Sequence, residues 1–183
     1  MRRRAAAAGR RLPREYFQIF DLPRRLTIDL SDLERRFYSL SRELHPDRFA
    51  RKSVAQQERA LEDSASLNDA YRTLREPIAR ALYLLKLEGF EIGEQGSKDV
   101  PPELLEEVFE LNMAIEESDS AQLDASRRRF EAMRGEIDEQ LQGKFGEWDA
   151  DGGRDSLTAI RGLLNRRKYI TNLIEKTNVP DRV

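Results

Sequence analysis

The chain has 183 residues, of which 39% are hydrophobic and 36% charged, a composition typical of a globular protein with a thin core. Its net charge of −2 gives no overall field that would draw it to nucleic acid or to an anionic membrane, and no apolar run approaches the roughly 18 residues of a membrane span. The chain has no cysteine, which excludes disulfides, thiolate metal sites and a cysteine nucleophile. We therefore expect no nucleic-acid partner, no membrane partner and no metal or other cofactor.

The chain opens with a basic stretch that we do not assign to the fold. Residues 1–13 carry several arginines and no acidic residue. We interpret them as a disordered basic tail, with a targeting segment as the alternative. A short amphipathic turn is predicted next, at about 15–21.

A long amphipathic helix is predicted in the segment TIDLSDLERRFYSLSREL. Its apolar residues recur at steps of three and four, which places them on one buried face: Leu30, Leu33, Phe37, Leu40 and Leu44. Thr27 or Asp29 can cap its start. Pro46 ends it, because a proline pushes the residue before it out of the helical region. Arginines occupy the opposite face.

Two more helices are predicted at about 53–75 and 77–89. The apolar candidates of the first include Val54, Leu61, Leu67 and Leu74. Since only a short break at a proline separates it from the preceding helix, the two should pack as an antiparallel hairpin. The tripeptide His45-Pro46-Asp47 is then exposed at the tip of this hairpin.

The second half of the chain is predicted to be a separate domain. Segment 93–101 is rich in glycine and proline, so we interpret it as a linker between a first domain at 14–92 and a second at 102–183. Three helices at about 102–117, 120–142 and 155–176, with a loop at 143–153, predict an antiparallel three-helix bundle. The predicted fold class is therefore all-α, a helical hairpin followed by a three-helix bundle.

His45 is the only histidine of the chain, and Pro46 and Asp47 follow it directly. A lone histidine is more often a capping or core residue than a functional one. Its place between two helices favours an exposed docking loop, which Pro46 stiffens through its fixed φ. The sequence has no second histidine, no obvious pair of catalytic carboxylates and no glycine-rich phosphate loop. We therefore assign no catalytic residue and expect that the protein is not an enzyme.

An arginine-bearing helix, His-Pro-Asp and a second helix together resemble the J-domain, the module with which co-chaperones stimulate the ATPase of Hsp70-type chaperones. The segments RRFYSLSRELHPDRF and SASLNDAYRTLREPIARALYLLKLEGF are more specifically similar to the HscB family, the co-chaperones of iron–sulfur cluster assembly. The likeness runs from about residue 16 to residue 90 and continues more weakly through the bundle. It implies that region 14–92 is a J-domain.

The resemblance implies roles for individual residues of the hairpin. His45, Pro46 and Asp47 match the loop that contacts the chaperone and promotes ATP hydrolysis there. Arg36 and Arg42 match basic positions that face acidic groups of an HscA- or DnaK-type chaperone. Without the resemblance, a solvated helix face would be the ordinary interpretation of these arginines.

The first bundle helix, in the segment PPELLEEVFELNMAIEES, carries two apolar stripes. One consists of Leu104, Val108, Leu111 and Ile115, and the other of Leu105, Phe109 and Met113. Either both stripes are core, because the helix lies between two neighbours, or one is an exposed partner site. Glu106, Glu110 and Glu117 flank the second stripe, which suits a partly solvated rim.

The resemblance implies a partner for this helix, because in the HscB family it binds the iron–sulfur scaffold, an IscU-type protein. The matching positions are Leu105, Phe109, Glu110, Met113 and Glu117, with Tyr169 on the last helix as a further aromatic contact. The family often has methionine where this chain has Glu106, and a charged residue where it has Met113. The implied function is delivery of the scaffold to a chaperone whose ATPase the J-domain stimulates, in the maturation of iron–sulfur proteins.

Two other functions are the alternatives. General protein-folding J-domain co-chaperones typically carry a Gly/Phe-rich segment and CxxC zinc repeats, and this chain has neither. A nucleic-acid-binding protein would use the arginine-rich tail, but the rest of the chain offers no basic patch. Eukaryotic relatives often add a cysteine-bearing N-terminal metal module. Its absence leads us to expect a bacterial-type cytoplasmic protein rather than one of the mitochondrial matrix.

Overall fold

A computed structural model describes residues 15–90, 105–117 and 120–177. These residues form seven α-helices and one 3₁₀ turn, Pro46–Phe49, with no β-strand among them. The helices are α1 (Tyr16–Ile19), α2 (Leu30–Leu44), α3 (Val54–Arg75), α4 (Pro77–Leu87), α5 (Leu105–Glu117), α6 (Ser120–Asp151) and α7 (Arg154–Lys176). The predicted all-α fold class is confirmed.

The chain divides into two compact units between Leu84 and Leu85, within α4. In the first unit α1 and α2 both pack on α3, and in the second α5 and α7 both pack on α6. The predicted tail at 1–13 and the predicted linker at 93–101 lie outside the described residues.

Helix α2 has its ends fixed by a cap and a proline, as the sequence predicts. The Asp29 carboxylate accepts hydrogen bonds from the backbone N–H groups of Ser31 (2.9 Å) and Asp32 (3.2 Å). The helix ends at Leu44, before the His45-Pro46 bond. Of the two candidate caps, Asp29 is therefore the one that acts.

Three apolar residues predicted to face the core are instead exposed. Leu30, Val54 and Leu61 are 49%, 70% and 58% exposed, whereas Leu33 and Leu67 are buried. Leu30 and Val54 are the first residues of their helices, so the apolar period there extends beyond the packed surface. Leu61 lies next to buried Ala60 on α3, where the smaller side chain takes the inward position.

Aromatic rings join the helices of the first unit. The Phe37 ring of α2 stacks on Tyr71 of α3, with ring centroids 4.2 Å apart. The Tyr16 ring of α1 stacks on Tyr83 of α4 at 4.4 Å, and the Tyr16 backbone N–H donates to the Tyr83 hydroxyl (2.9 Å). Burial raises the pKa of Tyr83, so this hydroxyl stays protonated and keeps its place as a neutral acceptor.

Helix α6 continues to Asp151, so the prediction of a loop at 143–153 is wrong for all but the last two residues, 152–153, which separate α6 from α7. The helix reaches Asp151 because Phe145 and Trp148 extend the apolar side beyond Leu141, and both are almost fully buried. A glycine in a helix costs about 1 kcal/mol relative to alanine. Burying a large apolar side chain contributes about 2 kcal/mol, so burial of the aromatic residues outweighs the glycines.

Helices α6 and α7 run antiparallel. Near the start of α6, Arg127 donates from Nη2 to the backbone oxygen of Thr177, just after α7 ends (3.0 Å). Further along α6, Asp138 accepts from Arg167 Nε (2.6 Å). Moving forward along α6 from 127 to 138 thus means moving backward along α7 from 177 to 167, which defines the register of the two helices.

Gly143→Ala and Gly146→Ala are each expected to raise the free energy of unfolding by about 1 kcal/mol. Both glycines lie inside α6, and a Cβ added at either meets no atom within 4 Å. Urea unfolding followed by circular dichroism measures the change. Gly152→Ala is the control and should lower the stability, because Gly152 has a φ of 64°, which a side chain disfavours. A loss of stability in both helix variants would contradict the helical assignment of this segment.

Candidate functional site

His45-Pro46-Asp47 forms an exposed turn between α2 and α3. His45 ends α2, and the 3₁₀ turn begins at Pro46. The imidazole Nδ1 accepts a hydrogen bond from the Asp47 backbone N–H (3.3 Å), which places the proton of the neutral ring on Nε2. The side chains of His45 and Asp47 are 56% and 89% exposed. His45 is therefore a helix-capping residue and an exposed one at the same time.

Side chains on either side tie this turn to the helices. Arg48 donates to the carbonyl oxygen of Arg42 near the end of α2 (3.3 Å). Gln57, in α3, donates to the carbonyl oxygens of Ala50 (3.1 Å) and Lys52 (3.0 Å). These bonds satisfy backbone groups that a turn would otherwise leave to water. The turn is thereby held in one conformation without an apolar core of its own.

The two arginines assigned to chaperone binding have different surroundings. Arg36 is only 27% exposed and donates to the Asp32 carboxylate (2.7 Å) and to the backbone oxygens of Phe20 (2.8 Å) and Asp21 (2.9 Å). Arg42 is exposed, and its guanidinium has no acceptor among the residues described. Arg36 therefore joins α2 to the end of α1, and Arg42 is the accessible cation of the two.

A shallow notch on the outer side of α2 continues the exposed surface from Arg42. It is lined by Arg35, Tyr38, Ser39, Arg42 and Glu43. Residues three, four and seven apart lie on the same side of a helix, so one side of α2 presents these groups together. Arg35 is ion-paired with Asp32, so Arg42, beside the half-exposed Tyr38 ring, is the guanidinium of this notch that suits an acidic protein surface.

Helix α5 separates its two apolar stripes between the core and the surface. Leu111 and Ala114 are fully buried, on the side where α5 packs on α6. Leu105, Phe109 and Met113 are 55%, 65% and 39% exposed. Of the two alternatives that the sequence leaves open, the structure shows the second stripe to be a surface feature. We call these three residues the exposed stripe.

Acidic residues border the exposed stripe along one edge: Glu106, Glu110 and Glu117, all of them exposed. Glu110 forms an ion pair with Arg129 of α6 (2.8 Å), and Arg129 is not among the residues predicted from the sequence. The only signal in the sequence was the run of three arginines at 127–129, and a charge run does not show which member faces α5. Leu104, assigned to the first stripe, lies outside the described residues.

Tyr169 lies on α7 and is partly buried, and this burial raises the pKa of its hydroxyl. Two ion pairs show which parts of α7 and α5 lie beside which parts of α6. Arg167 of α7 lies beside Asp138, and Glu110 of α5 lies beside Arg129. α5 and α6 are joined by only two residues, 118–119, and so short a connection makes them antiparallel. Tyr169 is therefore level with the N-terminal end of α5.

The described part of the chain offers neither a metal site nor a membrane span. Within it, no group of three histidine, aspartate or glutamate side chains is placed to hold a metal ion. No described helix is both long and apolar enough to cross a membrane. The candidate functional features of the described residues are two exposed surfaces, the His-Pro-Asp turn with α2 and the exposed stripe of α5.

Arg36→Ala is expected to lower the stability of the first unit by about 1–3 kcal/mol, because it leaves the carbonyl oxygens of Phe20 and Asp21 without the donor that Arg36 supplies. Arg42→Ala is the matched control, the same substitution on the same helix at an exposed position, and should change the stability by less than about 0.5 kcal/mol. Native-state hydrogen exchange of the α1 amides measures both effects. Equal protection in the two variants would show that Arg36 does not hold α1.

Comparison with known proteins gives consistent likenesses for both units. Residues 100–178 match the family described as "HSCB C-terminal oligomerisation domain". The human iron–sulfur cluster co-chaperone protein HscB is 32% identical over 167 residues, which are 89% of this chain and 67% of that protein.

Solved structures agree with these sequence matches. The crystal structure of human co-chaperone protein HscB has a TM-score of 0.71 and 29% identity, over 94% of this chain and 83% of that one. Chaperone HscB from Vibrio cholerae has a TM-score of 0.70 and 32% identity, over 89% of this chain and 95% of that one.

The fold and these similarities identify the class of the protein. It is a co-chaperone, and its described residues form helices in two compact units. The match at this identity extends over nearly the full length of the Vibrio cholerae structure. The chain belongs to the HscB family.

Proposed function

We propose that the chain is a co-chaperone of iron–sulfur cluster assembly that connects an HscA- or DnaK-type chaperone with an IscU-type scaffold protein. Membership of the HscB family supports the co-chaperone role. The single observation that carries the adaptor role is the exposed stripe of α5. A protein that only stimulated an ATPase would have no use for a second apolar surface on a separate unit, where it favours unwanted association.

The proposed J-domain at 14–92, which carries α2 and the His-Pro-Asp turn, engages the chaperone. Arg42 supplies an exposed positive charge, which steers an acidic surface and sets its register more than it adds affinity. Asp47 and His45 project from a turn that hydrogen bonds already hold in place, so little conformational entropy is lost when they bind. The chain contributes no catalytic group of its own, and ATP is hydrolysed in the chaperone.

The proposed domain at 102–183, which follows the proposed linker at 93–101, binds the scaffold. Phe109 is the largest side chain of the exposed stripe and the most exposed, at 65%. An aromatic anchor buried at the centre of an interface contributes about 2 kcal/mol or more, which corresponds to roughly thirtyfold in affinity. Glu110 and Glu117 form the polar rim, and Tyr169 adds an aromatic contact from α7.

Carrying both partners on one chain makes the second binding event intramolecular, which raises the effective concentration of the scaffold at the chaperone. Hydrolysis then closes the chaperone on the scaffold and favours transfer of the cluster to an acceptor protein. This coupling distinguishes the proposed function from that of a general protein-folding co-chaperone.

The cytoplasm of a bacterial cell is the proposed compartment, with the mitochondrial matrix as the alternative. Relatives from human and from Vibrio cholerae represent both kinds of organism. Fractionation of the source cells, followed by immunoblotting with an antibody to this chain, tests the assignment.

Steady-state ATP hydrolysis by the HscA-type chaperone of the same organism is the central test. The chain and the IscU-type scaffold are expected to stimulate hydrolysis more when present together than the product of their separate effects. Asp47→Asn should abolish the contribution of this chain, because it removes the exposed carboxylate and leaves the hydrogen bond from the Asp47 backbone N–H in place.

The outcomes separate the two halves of the proposal. Stimulation that is independent of the scaffold would leave the chaperone-binding role and remove the adaptor role. Stimulation that Asp47→Asn leaves intact would show that the turn is not the contact. Asp69→Asn, another exposed aspartate of the same unit, is the control and should stimulate as the unchanged chain does.

Phe109→Ala and Leu105→Ala are expected to weaken scaffold binding by about tenfold or more, with little change in the melting temperature, because both side chains are already in water. Isothermal titration calorimetry and thermal unfolding measure the two quantities. Leu111→Ala, on the buried side of the same helix, is the contrast and should destabilise the bundle by about 2–5 kcal/mol. A sharp fall in the stability of Phe109→Ala would mean that the exposed stripe belongs to the core.

A further inference from the structure

Three successive arginines near the start of α6 have three different surroundings. Arg127 donates to Thr177 at the end of α7 (3.0 Å), and Arg129 donates to Glu110 of α5 (2.8 Å). Arg128 is exposed and has no hydrogen-bond or ion-pair partner among the described residues. Successive residues are about 100° apart around a helix, so Arg128 lies on the side of α6 that faces away from both neighbouring helices.

After pairing with Glu110, Arg129 still has guanidinium N–H groups that can donate to a second acceptor. The side chains of Arg129 and Glu110 are 52% and 51% exposed. Only the Nη1 group donates to the carboxylate, and within the described ranges no acceptor lies against Nη2 or Nε. A guanidinium presents five N–H groups in a flat fork, and the edge formed by Nη2 and Nε matches a second carboxylate. Arg129 is therefore placed to bridge Glu110 and a carboxylate from outside the chain.

The stability of the bundle does not account for this ion pair. An exposed pair contributes about 0–1 kcal/mol to folding, and the buried side of α5 already holds it on α6. Charges at the rim of an apolar contact act mainly on the association rate and on the choice of partner. Glu110 directly follows Phe109, so the pair stands at the rim of the exposed stripe.

We propose that the docking surface crosses from α5 onto α6, where Arg129 binds a carboxylate of the scaffold protein. This inference rests on the proposed function, since it extends the surface assigned there to the scaffold. The edge formed by Glu106, Glu110 and Glu117 alone would be uniformly negative. Arg129 adds a positive charge at the middle of that edge, so the surface that fits must carry an acidic group between basic ones. A uniformly basic surface would place a positive charge against Arg129 at that point, and it therefore fits less well than a surface with an acidic group there.

The test measures binding of the full chain to the purified IscU-type scaffold by surface plasmon resonance at low and at moderate salt. Arg129→Glu should lower the affinity by about tenfold or more, mainly through the association rate, and should make binding less dependent on salt. Arg128→Glu changes the net charge by the same amount one residue away, about 100° around the helix on the side that faces away from α5, and should stay within twofold of the unchanged chain. Phe109→Ala is measured in parallel as the test of the exposed stripe itself.

The results separate this inference from the proposed function. Arg129→Glu binding as tightly as Arg128→Glu overturns the inference, whatever Phe109→Ala does. An unchanged chain that fails to bind the scaffold, or a Phe109→Ala variant that binds normally, overturns the proposed function. Arg129→Gln replaces Arg129→Glu in the same comparison if the charge reversal prevents folding.

A double-mutant cycle with Glu110→Gln and Arg129→Gln decides whether Arg129 itself touches the scaffold. If Arg129→Gln still weakens binding by several fold in the Glu110→Gln background, Arg129 makes its own contact. If the effect disappears there, Arg129 only holds Glu110 in place, and the direct contact is overturned.

Discussion

The burial of one apolar side of α6 is the constraint on which the second unit depends. Both α5 and α7 pack on this helix, so their positions follow from where its large side chains point: Phe130, Ile137, Leu141, Phe145 and Trp148. Helix α5 buries Leu111 and Ala114 against the bundle. Helix α5 is apolar on two sides but packs on the bundle with only one of them, so its other apolar side faces water. The exposure of Phe109 therefore follows from how α5 packs on α6.

The arginines of both units show how the same side chain is either held by the fold or left in water according to the acceptors within its reach. Arg36 finds two carbonyl oxygens at the end of α1, where the helix leaves acceptors unpaired, and so becomes part of the fold. Arg42, less than two turns further along α2, meets no such acceptor and stays available. On α6, Arg127 is likewise held at the end of α7 and Arg129 pairs with Glu110 of α5, whereas Arg128 meets no acceptor among the described residues. Whether an arginine is held by hydrogen bonds depends on its position relative to a helix end or a neighbouring helix. The residue type alone does not decide it.

The apolar period and the positions of proline and of capping residues were sufficient to predict the fold class and the end of α2, and they gave Asp29 as one of two candidate caps. They failed at 143–151, where the local preference of glycine was outweighed by burial of Trp148, a tertiary effect that a local pattern does not contain. The exposed turn and the two stripes of α5 were visible as patterns, yet which stripe faces water required the placement of α6. Arg129 was not predictable, because its partner Glu110 lies on another helix, and only the packing brings them together.

Trp148 has one more consequence, for how the molecule can be observed. It is the only tryptophan of the chain, and it lies in the second unit, where its side chain is 8% exposed. Fluorescence excited where tyrosine does not absorb therefore reports on the second unit alone, while far-ultraviolet circular dichroism sums the helices of both. If the two signals change at the same denaturant concentration, the units unfold together, and if they separate, each unit has its own folding free energy. Trp148 is thus an intrinsic fluorescence probe of the second unit.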